Sequence, residues 1–154
     1  MRNPVIYLVL LAALGLVACE QKVDVAAEEE AIKAAVQNET NAFDDNDYER
    51  LAAAWVHEPY VVHGSMGEDI VVGWDSLSVA NKNAIELKNK EPDKYRVKER
   101  TQLNFDIYLD GNAAFVIHDE SGEGIWAGEE FSFDVKVVKY LLKKDGEWKL
   151  VAVF

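Results

Sequence analysis

The side chains of this chain that are best suited to chemistry are three histidines, His57, His63 and His118, and a single cysteine, Cys19. An imidazole titrates near neutral pH, so each histidine could act as a base or as a metal ligand. The spacing of the three matches no usual metal-binding pattern, and the sequence therefore predicts no metal site. The chain also contains neither a phosphate-binding glycine loop nor a nucleophile elbow, so no cofactor is predicted.

The three histidines differ in their predicted positions. His57 follows a short helix pattern, where it would interact with the C-terminal carbonyl groups of that helix. His118 lies in a strand pattern beside two acidic residues, which predicts a solvated or hydrogen-bonded place on the sheet surface. His63 ends the β-rich run Tyr60–His63, in which only one of the last two residues can face the helices. His63 is therefore the remaining candidate for a general base.

Cys19 ends an N-terminal segment that has the features of a secretion signal. Arg2 supplies a positive charge, and Val5–Val17 is an uninterrupted apolar run that is short for a transmembrane helix. The run Leu16–Cys19 resembles a bacterial lipobox, which implies that Cys19 is lipidated on its sulfur and becomes the mature N-terminus when residues 1–18 are removed. An ordinary secreted protein is the alternative interpretation.

The lipobox resemblance predicts three parts of the chain: a lipoprotein signal peptide at 1–18, a lipidated cysteine with a tether at 19–27, and a domain at 28–154. Glu20, rather than aspartate, follows the cysteine, which by resemblance to Gram-negative lipoproteins favours the outer membrane of the bacterial cell envelope. With Cys19 lipidated, the mature domain has no thiol for a disulfide, a nucleophile or a metal ligand.

The charge of the chain restricts its partners. It carries 28 acidic and 16 basic residues, for a formal net charge of −12. Such a surface repels phosphate backbones, so nucleic acid is not an expected partner. It also repels anionic lipid headgroups, and membrane contact is therefore predicted through the lipid anchor only.

Residues 28 to 92 have the pattern of helices around a short hairpin. Ile32, Val36 and Phe43 recur at helical spacing, and the acidic cluster at 44–47 ends this first helix. Asp47 is predicted to cap a second helix, which runs up to Trp55 and stops before Pro59. Two short β-rich runs at 60–63 and 70–72 predict a hairpin, and a third helix covers about residues 75–90.

Residues 95–154 predict a strongly bent antiparallel sheet. From Val97 to Leu109 apolar and polar residues alternate, so one face of this strand should be covered and the other solvated. Thr101 and Leu103 fall on the predicted covered face, and Arg100 and Gln102 on the solvated one. Turns at 110–112 and 145–146 separate further strands at 113–120, 131–142 and 148–154, with glycines 122, 124 and 128 as a connection.

This order of elements resembles the nuclear transport factor 2-like superfamily, in particular its SnoaL-like branch. The matching residues are Asp47–Trp55 followed by Tyr60–His63, then Val72–Leu77, and the closing Asp145–Leu150. The resemblance implies an α+β fold in which three N-terminal helices pack in a strongly bent, mixed or antiparallel sheet to form a cone. It also implies an apolar pocket for a small hydrophobic molecule, and a homodimer.

Ketosteroid isomerases share this fold, and a gapless comparison with them implies roles for individual residues. His63 falls at the position of their general-base aspartate, and Glu39 at that of the oxyanion-hole tyrosine. Trp55 takes the place of a pocket tyrosine. Counting back along the chain from Gly146 puts the partner aspartic acid at about Val138. Because neither oxyanion-hole residue is retained, isomerase chemistry of that kind is not expected.

Glu39 and His63 nevertheless form a predicted pair inside the cone, as a catalytic base with its orienting carboxylate or as a buried structural pair. Four residues are predicted to line the pocket: Phe43, Trp55, Tyr60 and Val138. Three functions remain open: binding of a small hydrophobic molecule, a lyase, isomerase or hydrolase that uses His63, and a dimeric protein-interaction module. A continuous apolar cavity would favour the first two, and a cone filled by side chains the third.

Overall fold

The computed structural model describes residues 24–64 and 70–154. These residues form three helices and six strands, in the order α1 (Val25–Asp44), α2 (Tyr48–Ala53), β1 (Val62–His63), β2 (Val71–Val72), α3 (Trp74–Lys90), β3 (Arg96–Asp110), β4 (Ala113–Trp126), β5 (Glu129–Lys144) and β6 (Glu147–Val153). The predicted signal peptide and Cys19 lie outside the described residues. None of the helices described here is long and apolar enough to cross a bilayer.

All six strands form one sheet in the order β2-β1-β6-β5-β4-β3. Neighbouring strands are antiparallel except β1 and β6, which run parallel, so the sheet is mixed. Helix α1 packs against one face of this sheet, mainly on β3 and β6, and α2 packs on α1. The predicted α+β fold of helices in a bent sheet is confirmed. We call the face that meets the helices the inner face, and the opposite face the outer face.

The first two helices begin at residues whose side chains cap them. The Asp24 carboxylate accepts a hydrogen bond from the backbone N–H three residues later, at 3.2 Å. Helix α1 therefore begins at Val25, inside the range predicted to be a tether. Asp47 caps α2 in the same way, at 3.0 Å, as predicted. Helix α2 ends at Ala53, so Trp55 follows it rather than belonging to it.

The hydrophobic core lies between the inner face and the helices. Trp55 is 2% exposed and forms an isolated bridge to Leu150 of β6, which ties the end of α2 to the sheet. The core is one contiguous cluster of side chains. Its buried members include Ile32, Val36, Leu51, Trp55, Leu77, Val116, Leu141, Trp148 and Leu150.

Strand β3 does not keep one set of residues toward the helices along its length. Its register with β4 shifts between residues 103 and 106, where Asn104 has a φ of 53°. Such a β-bulge exchanges the residues that face each side of the sheet. Before the bulge Arg100 and Gln102 point inward and Leu103 is 57% exposed, whereas after it residues 105, 107 and 109 point inward. The prediction of one apolar face is therefore wrong for residues 100–103.

The glycine-rich stretch after residue 120 was predicted to be a connection, but it belongs to β4. Gly122 pairs with Phe133 of β5, and a Cβ atom at Gly122 would lie 2.5 Å from the carbonyl oxygen of Glu99. The missing side chain thus lets β3 approach β4 closely where the sheet bends. The turn falls at Ala127 and Gly128, which have φ values of 55° and 86°.

Candidate functional site

The space between α1 and the inner face holds charged and polar side chains where the sequence predicted an apolar pocket. These side chains lie within hydrogen-bonding or ion-pairing distance of one another. We call them the interior charge network, and its members are Glu39, Thr40, Asp44, Arg100, Gln102, Glu120 and Lys139.

Glu39 and Lys139 form the most deeply buried ion pair of the network. The Nζ atom of Lys139 lies 2.8 Å from Oε2 of Glu39 and 3.0 Å from Oγ1 of Thr40. Glu39 is 9% exposed and Lys139 is 2% exposed. Burial opposes ionisation of Glu39, but the charge and hydrogen bond of Lys139 outweigh it, and the pKa of Glu39 is lowered. The Glu39 carboxylate is therefore ionised at neutral pH, and its contact with Lys139 connects α1 to β5.

Gln102 and Arg100 extend the network from α1 to β3 and β4. The Nε2 atom of Gln102 donates to Thr40 Oγ1 at 3.0 Å and to Glu120 Oε2 at 2.8 Å. Arg100 contacts Glu120 through Nη1 at 2.7 Å and Asp44 through Nη2 at 3.0 Å. Burial raises the pKa of Asp44, and the charge of Arg100 offsets this only in part. The network thus links α1 to three adjacent strands.

Lys88 joins α3 to the C-terminal end of α1. It is 2% exposed, and its Nζ atom donates to the backbone carbonyl oxygens of Phe43 and Asp44. The same ammonium lies 4.2 Å from the centroid of the Phe43 ring. Burial lowers the pKa of Lys88. Phe43, predicted to line a ligand pocket, therefore packs on a buried lysine.

His118 is buried on the inner face, at 0% exposure, and the prediction that it lies on the sheet surface is wrong. The alternation of β4 turns residues 114, 116, 118 and 120 inward together. The His118 ring stacks on Phe105 at 4.9 Å, and its Nδ1 atom lies 3.4 Å from the carbonyl oxygen of Asp119. Its Nε2 atom has no hydrogen-bond partner in the part of the chain described. Burial, followed by the charge of Lys139, lowers the pKa of His118.

His63 faces inward, as a pair with Glu39 requires. It pairs with Val153 on the inner face, and its ring centroid lies 6.1 Å from that of Trp55. The charge of His63 is also among the influences that lower the pKa of Glu39. The 2.8 Å ion pair of Glu39, however, is with Lys139, a residue that the sequence argument did not consider. The catalytic role of His63 and Glu39 stays a prediction.

The four predicted pocket residues do not converge on one site. Trp55 is buried, and its Nε1 atom has no partner within the described residues. Tyr60 is 48% exposed. Val138 pairs with Ile117 on the outer face, so the inward position beside it belongs to Lys139. Strand alternation therefore separates Val138 from Glu39.

Two shallow grooves open on the described surface. One of about 280 Å³ lies between α1 and β3, with Lys33, Asn104 and Phe105 in its wall. The other, of about 200 Å³, lies against β3, β4 and β5 around Gly122. Neither groove is lined by Glu39 or His63. Among the residues described, no three His, Cys, Asp or Glu side chains are grouped so that they could hold a metal ion.

Sequence reasoning missed five network or network-linked residues: Lys88, Arg100, Gln102, Glu120 and Lys139. The clearest available signal was an asparagine inside an alternating strand, because asparagine tolerates positive φ and favours a bulge there. The alternation of the strand predicted at 113–120 also places His118 and Glu120 on the same side as the apolar Ala114 and Val116. No local signal indicates that Lys139 meets Glu39, since 100 residues separate them.

No family model and no curated protein matches this sequence, whereas many solved structures match the fold. A proposed dehydratase of the nuclear transport factor 2-like family from Streptomyces avermitilis superposes with a TM-score of 0.69 at 14% identity, covering 83% of this chain and 94% of that one. A ketosteroid isomerase-like protein from Erwinia carotovora atroseptica gives a TM-score of 0.63 at 19% identity, covering 80% and 91%. The chain has the nuclear transport factor 2-like fold.

A proposed scytalone dehydratase from Novosphingobium aromaticivorans also has the nuclear transport factor 2-like fold, with a TM-score of 0.68, 18% identity and coverage of 83% and 82%. The fold thus occurs in domains of the small-molecule-binding and enzyme type. Identities this low establish the shared fold and leave the activity of this chain to its own residues. In this chain the space under α1 holds the interior charge network.

Proposed function

We propose that this protein is a lipid-anchored module of the bacterial cell envelope that works as a homodimer, with the outer face of its sheet as the contact surface. The observation that carries this proposal is an apolar row across the outer face, to which every strand contributes one residue. The row runs Tyr108, Phe115, Tyr140, Ala152, Val62 and Val72.

Four of the six residues in the row are exposed in the single chain: Tyr108, Phe115, Tyr140 and Val72. Tyr108 is 61% exposed, Tyr140 40% and Val72 58%. A neighbouring row adds Ile117, Val138 and the exposed Phe154. Contiguous apolar surface of this kind is characteristic of a binding surface. With a net charge of −12, two copies repel each other, so an interface between them requires a charge-free region such as this row.

The interior charge network favours an interaction module rather than a domain with a pocket for a hydrophobic molecule. Its side chains satisfy one another across the space between α1 and the sheet. An apolar ligand placed there would have to separate the Glu39–Lys139 pair and leave two buried charges without partners. The cone interior is then a structural element that fixes α1 on the sheet.

The homodimer is tested by placing a charge within the apolar row. Tyr140→Glu should weaken dimerisation by about 30-fold or more, equivalent to about 2 kcal/mol at a central interface position. Tyr60→Glu is the matched control, because Tyr60 is equally exposed but lies outside the sheet. Sedimentation of the detergent-solubilised mature protein measures both. A monomeric wild-type protein, or equal dimerisation of Tyr140→Glu, would contradict the proposal.

The lipid anchor is tested at Cys19. Cys19→Ser should abolish incorporation of a palmitate analogue and release the protein from the membrane fraction, since the predicted lipid attaches through the cysteine sulfur. Equal labelling of the variant would exclude the anchor. In a Gram-negative host, Glu20 favours the outer membrane as the location, which membrane fractionation checks.

A second candidate function is chemistry on a small molecule at His63, as a lyase, isomerase or hydrolase. It is favoured by the inward-facing His63 beside Trp55, whose indole N–H has no partner in the described structure. His63→Ala should then abolish turnover while the fold is retained. If no substrate is known, mass spectrometry should show that the variant loses a ligand that co-purifies with the wild-type protein. A drop in thermal stability with ligand content unchanged would assign His63 a structural role instead.

A further inference from the structure

The apolar row on the outer face has two halves that differ in the size of their side chains. On β3, β4 and β5 the residues are aromatic: Tyr108, Phe115 and Tyr140. On β6, β1 and β2 they are small and aliphatic: Ala152, Val62 and Val72. We call these the aromatic half and the aliphatic half of the row. The change in size falls between Tyr140 and Ala152, which pair across β5 and β6 at the middle of the sheet.

The aromatic half forms a raised part of the outer face. The ring centroids of Tyr108 and Phe115 lie 6.2 Å apart, so neighbouring rings of this half lie side by side. The aliphatic half is lower, because the side chains of alanine and valine are much shorter than an aromatic one. Ala152 and Val62 are half-buried in the single chain, and Val72 is exposed. The outer face therefore has a step between β5 and β6.

From this step we infer that, in the proposed homodimer, each copy packs its aromatic half on the aliphatic half of the other copy. The pairing depends on the homodimer through the outer face. In a symmetric contact between two identical faces, if residue i meets residue j, then j meets i. The central contact therefore occurs twice, with Tyr140 of each copy on the partner's Ala152.

The alternative contact places each residue of the row on its own counterpart. Aromatic side chains would then meet aromatic side chains and hold the two sheets apart, which leaves a gap between the two aliphatic halves. The core of a stable interface is packed as densely as a protein interior. A gap lined by alanine and valine loses van der Waals contacts, and it offers no hydrogen bonds to water. Large-on-small packing keeps the separation of the two sheets nearly constant along the row.

The neighbouring row of the outer face agrees with the same arrangement. Its residue beside β6 is the large one: Phe154 exchanges backbone hydrogen bonds of 2.8 and 2.9 Å with Val138 of β5. Phe154 is 54% exposed. The arrangement that sets Tyr140 on the partner's Ala152 also brings Phe154 towards the partner's Val138. A large side chain thus meets a smaller one in both rows.

The test targets the centre of the row, because packed sheets cross at about 30° and their contacts are closest there. Ala152→Tyr adds a ring where the Tyr140 ring of the other copy would lie, and it should weaken dimerisation by about 30-fold or more. Ser121→Tyr is the control, since Ser121 also points outward, on β4, but lies beyond both rows. Sedimentation of the detergent-solubilised mature protein measures both, and thermal unfolding checks that each variant is folded.

A mixture of two variants tests the pairing itself. Tyr140→Ala alone leaves alanine on alanine at both central contacts, and Ala152→Tyr alone places tyrosine on tyrosine. A heterodimer of the two variants has one tyrosine on one alanine at each contact, as in the wild-type protein. In an equal mixture, heterodimers should therefore exceed the half of all dimers that random association gives. Native mass spectrometry counts the three species, because the two variants differ in mass.

The outcomes separate the pairing from the homodimer. If each residue meets its own counterpart, Ala152→Tyr fills the gap, and this variant should dimerise at least as tightly as the wild-type protein. That result, or a mixture without excess heterodimer, would overturn the pairing while a wild-type dimer in sedimentation keeps the proposed function intact. A monomeric wild-type protein would refute the homodimer and the pairing with it.

Discussion

Each face of the sheet departs in places from the usual distribution of residues. The inner face buries Lys139, Glu120 and His118, all at 6% exposure or less, whereas the outer face leaves Tyr108 and Phe154 more than half exposed. Buried charges require partners, and the interior charge network supplies them. A contiguous row of exposed aromatic residues is typical of a binding surface, and the proposed homodimer would cover it. The comparison indicates that the inside of the cone positions the helices while the outside is available for recognition.

The most severe test of this comparison replaces, one at a time, two lysines on opposite faces of β5 by methionine. Lys139→Met leaves the Glu39 carboxylate buried without its cation and should cost about 3–5 kcal/mol in the free energy of unfolding. Lys136→Met, on the outer face, removes an exposed ion pair with Asp119 and should change stability little. Urea denaturation of both variants measures the difference.

A double variant separates the loss of a partner from the loss of packing. Glu39→Gln combined with Lys139→Met removes both charges and should recover much of the stability that Lys139→Met loses. If Lys139→Met and Lys136→Met are equally stable, the interior pair is not buried as described, and the contrast between the two faces fails.

A smaller effect is expected at the bulge that turns Arg100 and Gln102 inward. Asn104 adopts a φ of 53°, which a β-branched residue disfavours. Asn104→Val should therefore cost about 1–3 kcal/mol. Asn104→Gly is the control, because it keeps the backbone conformation while losing the 2.8 Å hydrogen bond to Asp119. Thermal unfolding compares them, and a Val variant at least as stable as the Gly variant would show that the bulge is not required.

The smallest effect concerns the pH dependence that His118 contributes. Burial and the charge of Lys139 lower the pKa of His118 below its ordinary value of 6.5, although Glu120 and Glu39 act in the opposite direction. As pH falls through 6.5 the unfolded chain binds a proton that the folded chain refuses, so stability is lost below this pH and is unaffected above it.

His118→Leu should remove this contribution. The wild-type free energy of unfolding should fall more steeply than that of the variant below about pH 6.5, by up to about 1.4 kcal/mol per pH unit. Chemical denaturation at a series of pH values between neutral and mildly acidic measures the two slopes. Parallel curves would mean that the pKa of His118 is not lowered in the folded protein.

The features that depend on neighbouring residues were predictable from the sequence. Asp47 caps α2 where predicted, and the turn at Asp145 and Gly146 has φ values of 53° and 87°. The apolar spacing of Ile32 and Val36 also predicts their burial, because helical periodicity is set within a few turns. Element order, fold class and the composition of the core follow from such local patterns.

The candidate site was predictable only in part. The sequence placed Glu39 and His63 inside the cone. In the structure Glu39 is buried on α1, and His63 pairs with the buried Val153 of the sheet. Its choice of Val138 as their neighbour rested on a count of residues along β5, and an error of one residue reverses the face of a strand. The His63→Ala measurement distinguishes a catalytic role of the pair from a structural one.

The sequence by itself determined the chemistry that this protein has available: a chain of net charge −12, one cysteine inside a lipobox-like motif, and strands that alternate around helices. Only the tertiary structure decided that Glu39 meets Lys139 and that Arg100 and Gln102 turn inward. The reason is physical. Alternation fixes which residues share a face, but a single bulge reverses that assignment, and the pairing of distant strands then selects which charges are buried together.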